Sequence, residues 1–327
     1  MQLSLHSLPS PPPGRTGWPW TEGAPPIPEK GPNGQAWPRI SIAIPSFRQG
    51  HYIEETLRSV LLQGYPNLDL VVIDGGSKDD TVSILKKYEP WLSSWVSEKD
   101  RGQCEAINKG FARCNGEIFN WLCSDDLLRP GALHTVGQAF CEKPPVDIIV
   151  GSCYIDFEGS PEKNEVRPSL GDRFARHPYV FAIWQPSCFF RRSLITRPEL
   201  VLERMNYCMD RELWCYLWSR QAKWKWTSEV LSVNRFTGNN KCVKGKGDIL
   251  KELDLIYRAY IPERIPLTFW LRRVWLPLVQ AHRDHRVALV RMGSRLISRT
   301  LSLSLHAAYS KDRVRVLQDE FYMYGMW

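Results

Sequence analysis

The chain has 327 residues, 43% of them hydrophobic, enough for one large core or a core with a smaller appended unit, which excludes a disordered tail or linker. A formal charge of +8 admits nucleic acid, an anionic membrane surface or a phosphorylated ligand, and only its distribution separates these. No window supplies the ~18–20 uninterrupted apolar residues of a spanning helix, because Arg272 and Arg273 interrupt the best candidate.

Nine scattered cysteines, odd in number and without a CxxC pair, follow an N-terminus (Met1 to Pro13) that has no basic start and no sustained apolar run. The expectation is a reduced, intracellular protein. Residues 1–38 are rich in proline and glycine (PSPPPGRTGWPW, EGAPPIPEKGPNG), which works against packed elements and predicts an irregular arm. Its Trp18, Trp20 and Trp37 suit docking on the body, and a loose interaction segment is the alternative.

From Arg39 short apolar runs alternate with helical periodicity, the pattern of a parallel sheet. Ile40 to Ile44 reads as a strand, and Tyr52 to Gln63 as a helix with Ile53, Leu57, Val60 and Leu61 on one face. Leu70 to Ile73 is a second strand ending on Asp74, Thr81 to Tyr88 a helix, Trp95 to Ser97 a short strand and Ala106 to Cys114 a helix. Glu117 to Leu122 is a strand, Ala132 to Phe140 a helix and Asp147 to Val150 a buried strand. This alternation predicts an α/β fold, a doubly wound, mostly parallel sheet flanked by helices, with ligands at the carboxyl ends of the strands.

Acidic residues fall at those ends: Asp74 after one strand, and Asp125 and Asp126 in WLCSDDLLRPG after another, while Pro45 and Ser46 follow the first. Aspartate is a good helix cap and turn former, so capping is the competing account of the pair. Pro130 fits a first helical position, which puts the cap near Arg129 and leaves both aspartates upstream. Two adjacent carboxylates repel unless a cation offsets them, and Mg2+ or Mn2+ completed by a diphosphate is an ordinary solution. Cys123 is a poor ligand for so hard an ion and reads as a small buried side chain.

The runs IAIPSFRQGHYIEETLRSVLLQGYPNLDLVVIDGGSKDDT and WVSEKDRGQCEAINKGFARCNGEIFNWLCSDDLLRPGAL together resemble family 2 glycosyltransferases of the GT-A fold and bacterial type, over roughly Pro38 to Lys241. The WPW near Trp18 is similar to a leader in some bacterial members. The resemblance implies an arm at 1–38, a glycosyltransferase domain at 39–245 (nucleotide-sugar half 39–150, acceptor half 151–245) and a basic helical extension at 246–327. It implies that Pro45, Ser46 and Phe47 line the base and ribose and that Asp74 bonds the base. It places Asp100 and Arg101 beside the nucleotide, with an ordinary surface cation as the other reading of Arg101. Asn108 and Lys109 match the helix behind it.

By the same resemblance Asp125 is the last aspartate of a metal-binding DxD signature with Asp126 beside it, and Cys123 stands where many relatives carry Asp or Asn. Asp210 in NYCMDRELW matches the general base of inverting members, which must take the acceptor proton, and also suits a cap of the helix RELWCYLW. Glu212 is a second carboxylate nearby. Arg235 and Lys241 in NRFTGNNK resemble a basic loop closing over the diphosphate, with Thr237 where relatives often carry His.

Between Pro262 and His306 arginines alternate with apolar and aromatic residues: Leu289, Met292 and Leu296 share one helical face and Arg291, Arg295 and Arg299 another. Such a segment suits peripheral contact with an anionic bilayer, and equally a helix packed on the catalytic domain. No nucleic-acid module accompanies it, so nucleic acid is not an expected partner. The expected setting is the cytoplasm or the inner face of the cytoplasmic membrane. The expected activity is that of an inverting, metal-dependent hexosyltransferase of polysaccharide or cell-envelope synthesis. It would move a sugar from a nucleoside diphosphate donor, a UDP-sugar first, to a hydroxyl of a glycan or lipid-linked acceptor. A sugar nucleotidyltransferase and a non-catalytic scaffold are the alternatives.

Overall fold

The structure is a computed structural model that describes residues 5–158, 163–166, 183–237, 240–241, 246–260 and 300. These fall into two compact units. The described residues of the first are 5–158, 163–166, 183–204 and 220–237, and those of the second are 205–219, 240–241, 246–260 and 300.

The first unit is built on nine strands: β1 (Ile40–Ser46), β2 (Leu68–Asp74), β3 (Ser94–Ser97), β4 (Ile118–Trp121), β5 (Leu127–Leu128), β6 (Ile148–Phe157), β7 (Lys163–Val166), β8 (Cys188–Arg191) and β9 (Trp224–Phe236). They form one sheet in the order β3-β2-β1-β4-β8-β6-β9-β5, with β7 on β6. Its helices are α1 (Ile53–Leu61), α2 (Thr81–Tyr88), α3 (Gln103–Arg113) and α4 (Ala132–Cys141). The block β3-β2-β1-β4 is parallel throughout, as its βα alternation predicts. Antiparallel pairing is confined to β5, β7 and β8, while β6 and β9 run parallel.

All seven residues of β1 are buried, as expected of a central strand covered on both faces. Ile53, Leu57, Val60 and Leu61 of α1 are buried as their periodicity predicts. Gly110 of α3 lets that helix lie close on β1, since a side chain there would meet the Ala43 Cβ at 2.7 Å. Helix α3 starts at Gln103, three residues before the expected Ala106, and its buried face already includes Cys104. Helix α4 starts at Ala132 after Gly131, which adopts φ +79°, so Pro130 precedes the helix rather than opening it. Leu127 and Leu128, between the aspartates and that helix, are a short strand on β9.

The arm docks on the body. Leu8, Ile27 and Trp37 are buried in the same core as β1 and α1, and Trp20 is buried as well. Its anchor is Arg58 of α1, fully buried, whose guanidinium donates to the carbonyls of Pro9 (2.8 Å), Pro19 (3.0 Å) and Trp20 (3.1 Å) and to the Tyr88 hydroxyl (3.1 Å). The cation also lies 5.3 Å from the Trp20 ring centroid. A proline-rich segment forms few backbone bonds of its own, and one buried cation satisfies three of its carbonyls.

The second unit contains α5 (Met209–Ser219) and α6 (Lys246–Tyr260). No described helix is long and apolar enough to cross a membrane. The basic segment between Pro262 and His306 lies outside the described residues except for Thr300.

Arg58→Met should lower stability to urea by on the order of 3 kcal/mol, because three buried carbonyls and a phenol lose their donor. A loss under about 1 kcal/mol would mean that apolar contacts alone hold the arm.

Candidate functional site

The carboxyl ends of β1, β2 and β4 lie side by side: Ser46 is in register with Asp74, and Ala43 with Trp121. After β1 the chain turns through Phe47, 53% exposed, and Arg48, whose guanidinium lies 5.1 Å from the Phe47 ring. Arg48 takes a positive φ of 55°, held there by its N–H donating 2.7 Å to the Ser77 hydroxyl. Pro45 and Ser46 are buried at the strand end.

Asp74 is fully buried, and its carboxylate accepts from inside the chain. Oδ1 takes the Ser77 hydroxyl at 2.5 Å, and Oδ2 takes the Ser97 hydroxyl at 2.6 Å and the N–H groups of Ser77 (2.9 Å) and Gly76 (3.2 Å). It therefore ties the ends of β2 and β3 and the turn between them into one piece. Asp100 lies directly behind that turn: a Cβ on Gly75 would meet its Oδ2 at 2.8 Å. Burial raises the Asp100 carboxyl above its ordinary value, aided by the charges of Glu105 and Asp74, while the Gly102 N–H and Lys109 pull the other way. Arg101 points to solvent, pairing with Glu203 at 2.7 Å and Glu105 at 3.4 Å. Asn108 clamps Val201 through both its amide groups, and Lys109 pairs with Glu98 and Glu105, so this helix is held from several sides.

Asp125 and Asp126 occupy the turn between β4 and β5. They cap no helix, since α4 begins six residues after Asp126 with Gly131 at its head. Donor atoms of Cys123, Asp125 and Asp126 lie within 4.8 Å of one another. The Arg235 N–H of β9 donates 2.9 Å to Asp126 Oδ1. The Arg235 guanidinium turns away, to Glu55 at 3.2 Å and over the Tyr52 ring at 5.2 Å. Arg235 is thus part of a strand, not of a loop. The Cys123 sulfur accepts from the Gln103 side chain at 3.3 Å.

Two polar residues of α1 and Gln63 just beyond its end hold this turn, and sequence reading overlooked them. The Thr56 hydroxyl lies 2.9 Å from the carbonyls of both Ser124 and Asp126. The Ser59 hydroxyl accepts the Leu128 N–H at 3.2 Å, and the Gln63 amide bonds the Arg129 carbonyl and the Leu133 N–H. All three are buried at spacings of three and four residues, the one signal that could have exposed them. The arm adds a fourth tie, Trp18 Nε1 donating 2.9 Å to the Leu128 carbonyl.

Electrostatically the pair is under load. Asp126 is only 3% exposed, and burial followed by the Asp125 charge pushes its carboxyl well above the usual range, against the pull of the Arg235 N–H and cation. Burial also raises Asp125. Burial and the Glu158 carboxylate, which accepts its hydroxyl at 2.7 Å, push neighbouring Tyr52 up to about 12. The donor set fits a hard divalent ion: two oxygen ligands whose charges a cation would offset, beside a thiol that need not ionise.

In the second unit Asp210 sits in the first turn of α5, and its Oδ1 accepts the Arg211 N–H at 2.7 Å. Burial raises its carboxyl, with a further push from Glu252, against the charge and N–H of Arg211. Glu212 is buried and bonds the Tyr260 hydroxyl. Lys241 is exposed and donates 3.2 Å to the Asn206 side chain.

The model of the family described as Glycosyl transferase family 2 matches residues 41–202. An uncharacterized glycosyltransferase of Rickettsia typhi is 36% identical over 216 residues, which cover 61% of this chain and 64% of that protein. The chain thus spans less than two thirds of that relative's length. The mannosyltransferase of Pyrobaculum calidifontis, solved with GDP-Man and Mn2+, is similar over 94% of this chain and 91% of its own, with a TM-score of 0.59 and 18% identity. S. aureus TarS 1-349, solved with UDP-GlcNAc, covers 87% of this chain and 92% of its own, with a TM-score of 0.58 and 14% identity. At such identities the likeness shows the fold, which is the expected GT-A type.

A carboxyl raised in the folded state binds its proton more tightly there than in the unfolded chain. The pair's contribution to stability is therefore fully present below the ordinary carboxylate value, about pH 4, and is lost as pH rises through the elevated values of Asp125 and Asp126. Mn2+ should recover the loss: melting temperature rises with Mn2+ at neutral pH, and the gain shrinks on acidification. Asp126→Asn should abolish the gain and, without metal, melt no lower than the metal-free parent. A wild-type melting curve indifferent to Mn2+ at neutral pH would remove the metal from the site.

Proposed function

We propose, from this chain's membership of glycosyl transferase family 2 through residues 41–202, that it is an inverting, metal-dependent hexosyltransferase. It moves a sugar from a nucleoside diphosphate donor, UDP-linked in the first instance, to a hydroxyl of a glycan or lipid-linked acceptor. The observation that carries this reading is the desolvated Asp125–Asp126 pair at the end of β4, beside the ends of β1 and β2 in a GT-A sheet. The solved neighbours in complex with UDP-GlcNAc and with GDP-Man and Mn2+ support a nucleotide sugar and a divalent ion.

On this reading Pro45, Ser46 and the exposed Phe47 ring face the base and ribose. Asp74 acts mainly by holding the turn of Gly75 and Gly76 in shape, because its oxygens already accept four internal donors. Asp100, less fully engaged and raised by burial, is then the better acceptor for a ring N–H. Asp125 and Asp126 would hold Mg2+ or Mn2+, which supplies positive charge against the leaving diphosphate. Lys241 would add a cation there, whereas Arg101 is committed to Glu203 and Glu105 and contributes a surface charge.

Asp210 would take the proton of the acceptor hydroxyl as that oxygen attacks the anomeric carbon and the bond to the diphosphate breaks. Its raised carboxyl suits the task, since a base whose value lies nearer to working pH accepts a proton more readily.

A screen of pooled UDP-, GDP- and dTDP-sugars by mass spectrometry identifies the donor, and calorimetry with UDP should show binding that strengthens with Mn2+. With that donor, Asp210→Asn should lower kcat about 10²–10⁴-fold while donor affinity stays unchanged. Transfer that survives intact in the variant would sink the assignment of the base.

A further inference from the structure

Immediately before α5 the backbone N–H groups of Asn206, Tyr207 and Cys208 converge on one side chain. Glu252 of α6 accepts the Asn206 N–H on Oε1 at 2.7 Å, and the Tyr207 and Cys208 N–H groups on Oε2 at 2.9 Å and 2.8 Å. Three successive N–H groups form a concave anion site, and a carboxylate filling it makes charge-assisted bonds of the stronger kind. Glu252 is 9% exposed, so these bonds form largely out of water. The negative charge also sits at the positive end of the α5 dipole.

We propose that Glu252 is a positioning residue for Asp210: it fixes the turn from which α5 starts, and so the place of the Asp210 carboxylate, and it sets a second negative charge within electrostatic reach of that carboxylate. The inference rests on the reading of Asp210 as the acceptor base. Two bonds connect the same turn to its surroundings on either side. Lys241 reaches the Asn206 side chain, and the Glu212 N–H returns to the Cys208 carbonyl at 2.9 Å to close the first helical turn. A shift of the turn would therefore carry Asp210, two residues beyond Cys208, along with it.

The charges acting on Asp210 within this unit oppose one another. Arg211 of its own helix favours the ionised form, and Glu252 of α6 favours the protonated one. Glu212, the remaining acid of the first turn, is engaged by Tyr260. Glu252 spends its hydrogen-bonding capacity on N–H groups and, unlike an amide, does so with an acidic side chain. It can thus hold the backbone and sustain the basicity of Asp210 at once, which an uncharged cap could not do.

The test needs no substrate at first. With selectively 13C-labelled aspartate, and Asp210→Asn to assign the signal, the Asp210 Cγ resonance is titrated in the parent and in Glu252→Gln. The midpoint should move to lower pH in the variant, because removing a nearby negative charge eases ionisation. With the donor identified by the screen, kcat at neutral pH should fall roughly tenfold or more through misplacement of the base, at unchanged donor KM. A folded Glu252→Gln whose Asp210 midpoint and kcat match the parent would overturn the proposal. Should the variant fail to fold, hydrogen exchange in the unaltered protein decides: protected amides at 206–208 support the clamp, and exchange at the rate of a free peptide overturns it. The two readings fail separately, since transfer surviving in Asp210→Asn would discard the base while leaving the Cγ titration as it stands.

Discussion

Holding a buried carboxylate against a half-buried one is the constraint that organises the first unit. Like charges in a medium of low dielectric repel far more strongly than in water, and among the described residues the N–H and the cation of Arg235 soften this. A turn under such load keeps its shape only if other groups fix its backbone. Thr56 and Ser59 do so from α1 and Gln63 from just beyond its end, β9 does so through its pairing with Leu127 and Leu128, and Trp18 does so from the arm. The dependence runs further back. Helix α1 is also the seat of Arg58, which gathers the arm, so the proline-rich leader and the acidic turn are held by different faces of one nine-residue helix.

That double use explains which features were legible in the sequence. Apolar periodicity located β1, α1, β2 and α2 because burial of apolar side chains is a local, repeating signal. The acidic strand ends were legible for a similar reason, since βα alternation alone says which ends of the strands face a ligand. Arg58 was not. Beside Leu57 it reads as an ordinary helix cation, and its partners lie 30 to 49 residues away in sequence. The polar stripe of α1 was hidden by the same limit, because its targets lie about 70 residues downstream. Pro130 misled for a different reason: the left-handed backbone that glycine accepts at 131 took the head of α4.

Asp74 shows how a strand-end carboxylate legible in the sequence can have internal partners that were not. Its position was plain, but the Ser97 hydroxyl that occupies Oδ2 comes from the neighbouring strand, 23 residues on. A carboxylate that accepts one donor on Oδ1 and three on Oδ2 is held rigidly. Its contribution is then to preorganise the turn against which Asp100 rests, and rigidity of this kind is what a binding loop needs.

Crowded carboxylates appear in both units, with opposite consequences set by what surrounds them. Asp126 is buried beside Asp125, and its carboxyl is pushed well above the usual range even against the N–H and the cation of Arg235, a penalty that a bound cation would relieve. Glu252 stands near Asp210 but is itself satisfied by three N–H groups, which hold it in place. The first arrangement suits binding a metal, because occupancy relieves the repulsion. The second would suit the proton transfer proposed for Asp210, because the neighbouring acid helps to raise the Asp210 carboxyl. The number of N–H donors on each carboxylate, rather than the spacing of acids in the sequence, decides which chemistry a pair of acids can serve.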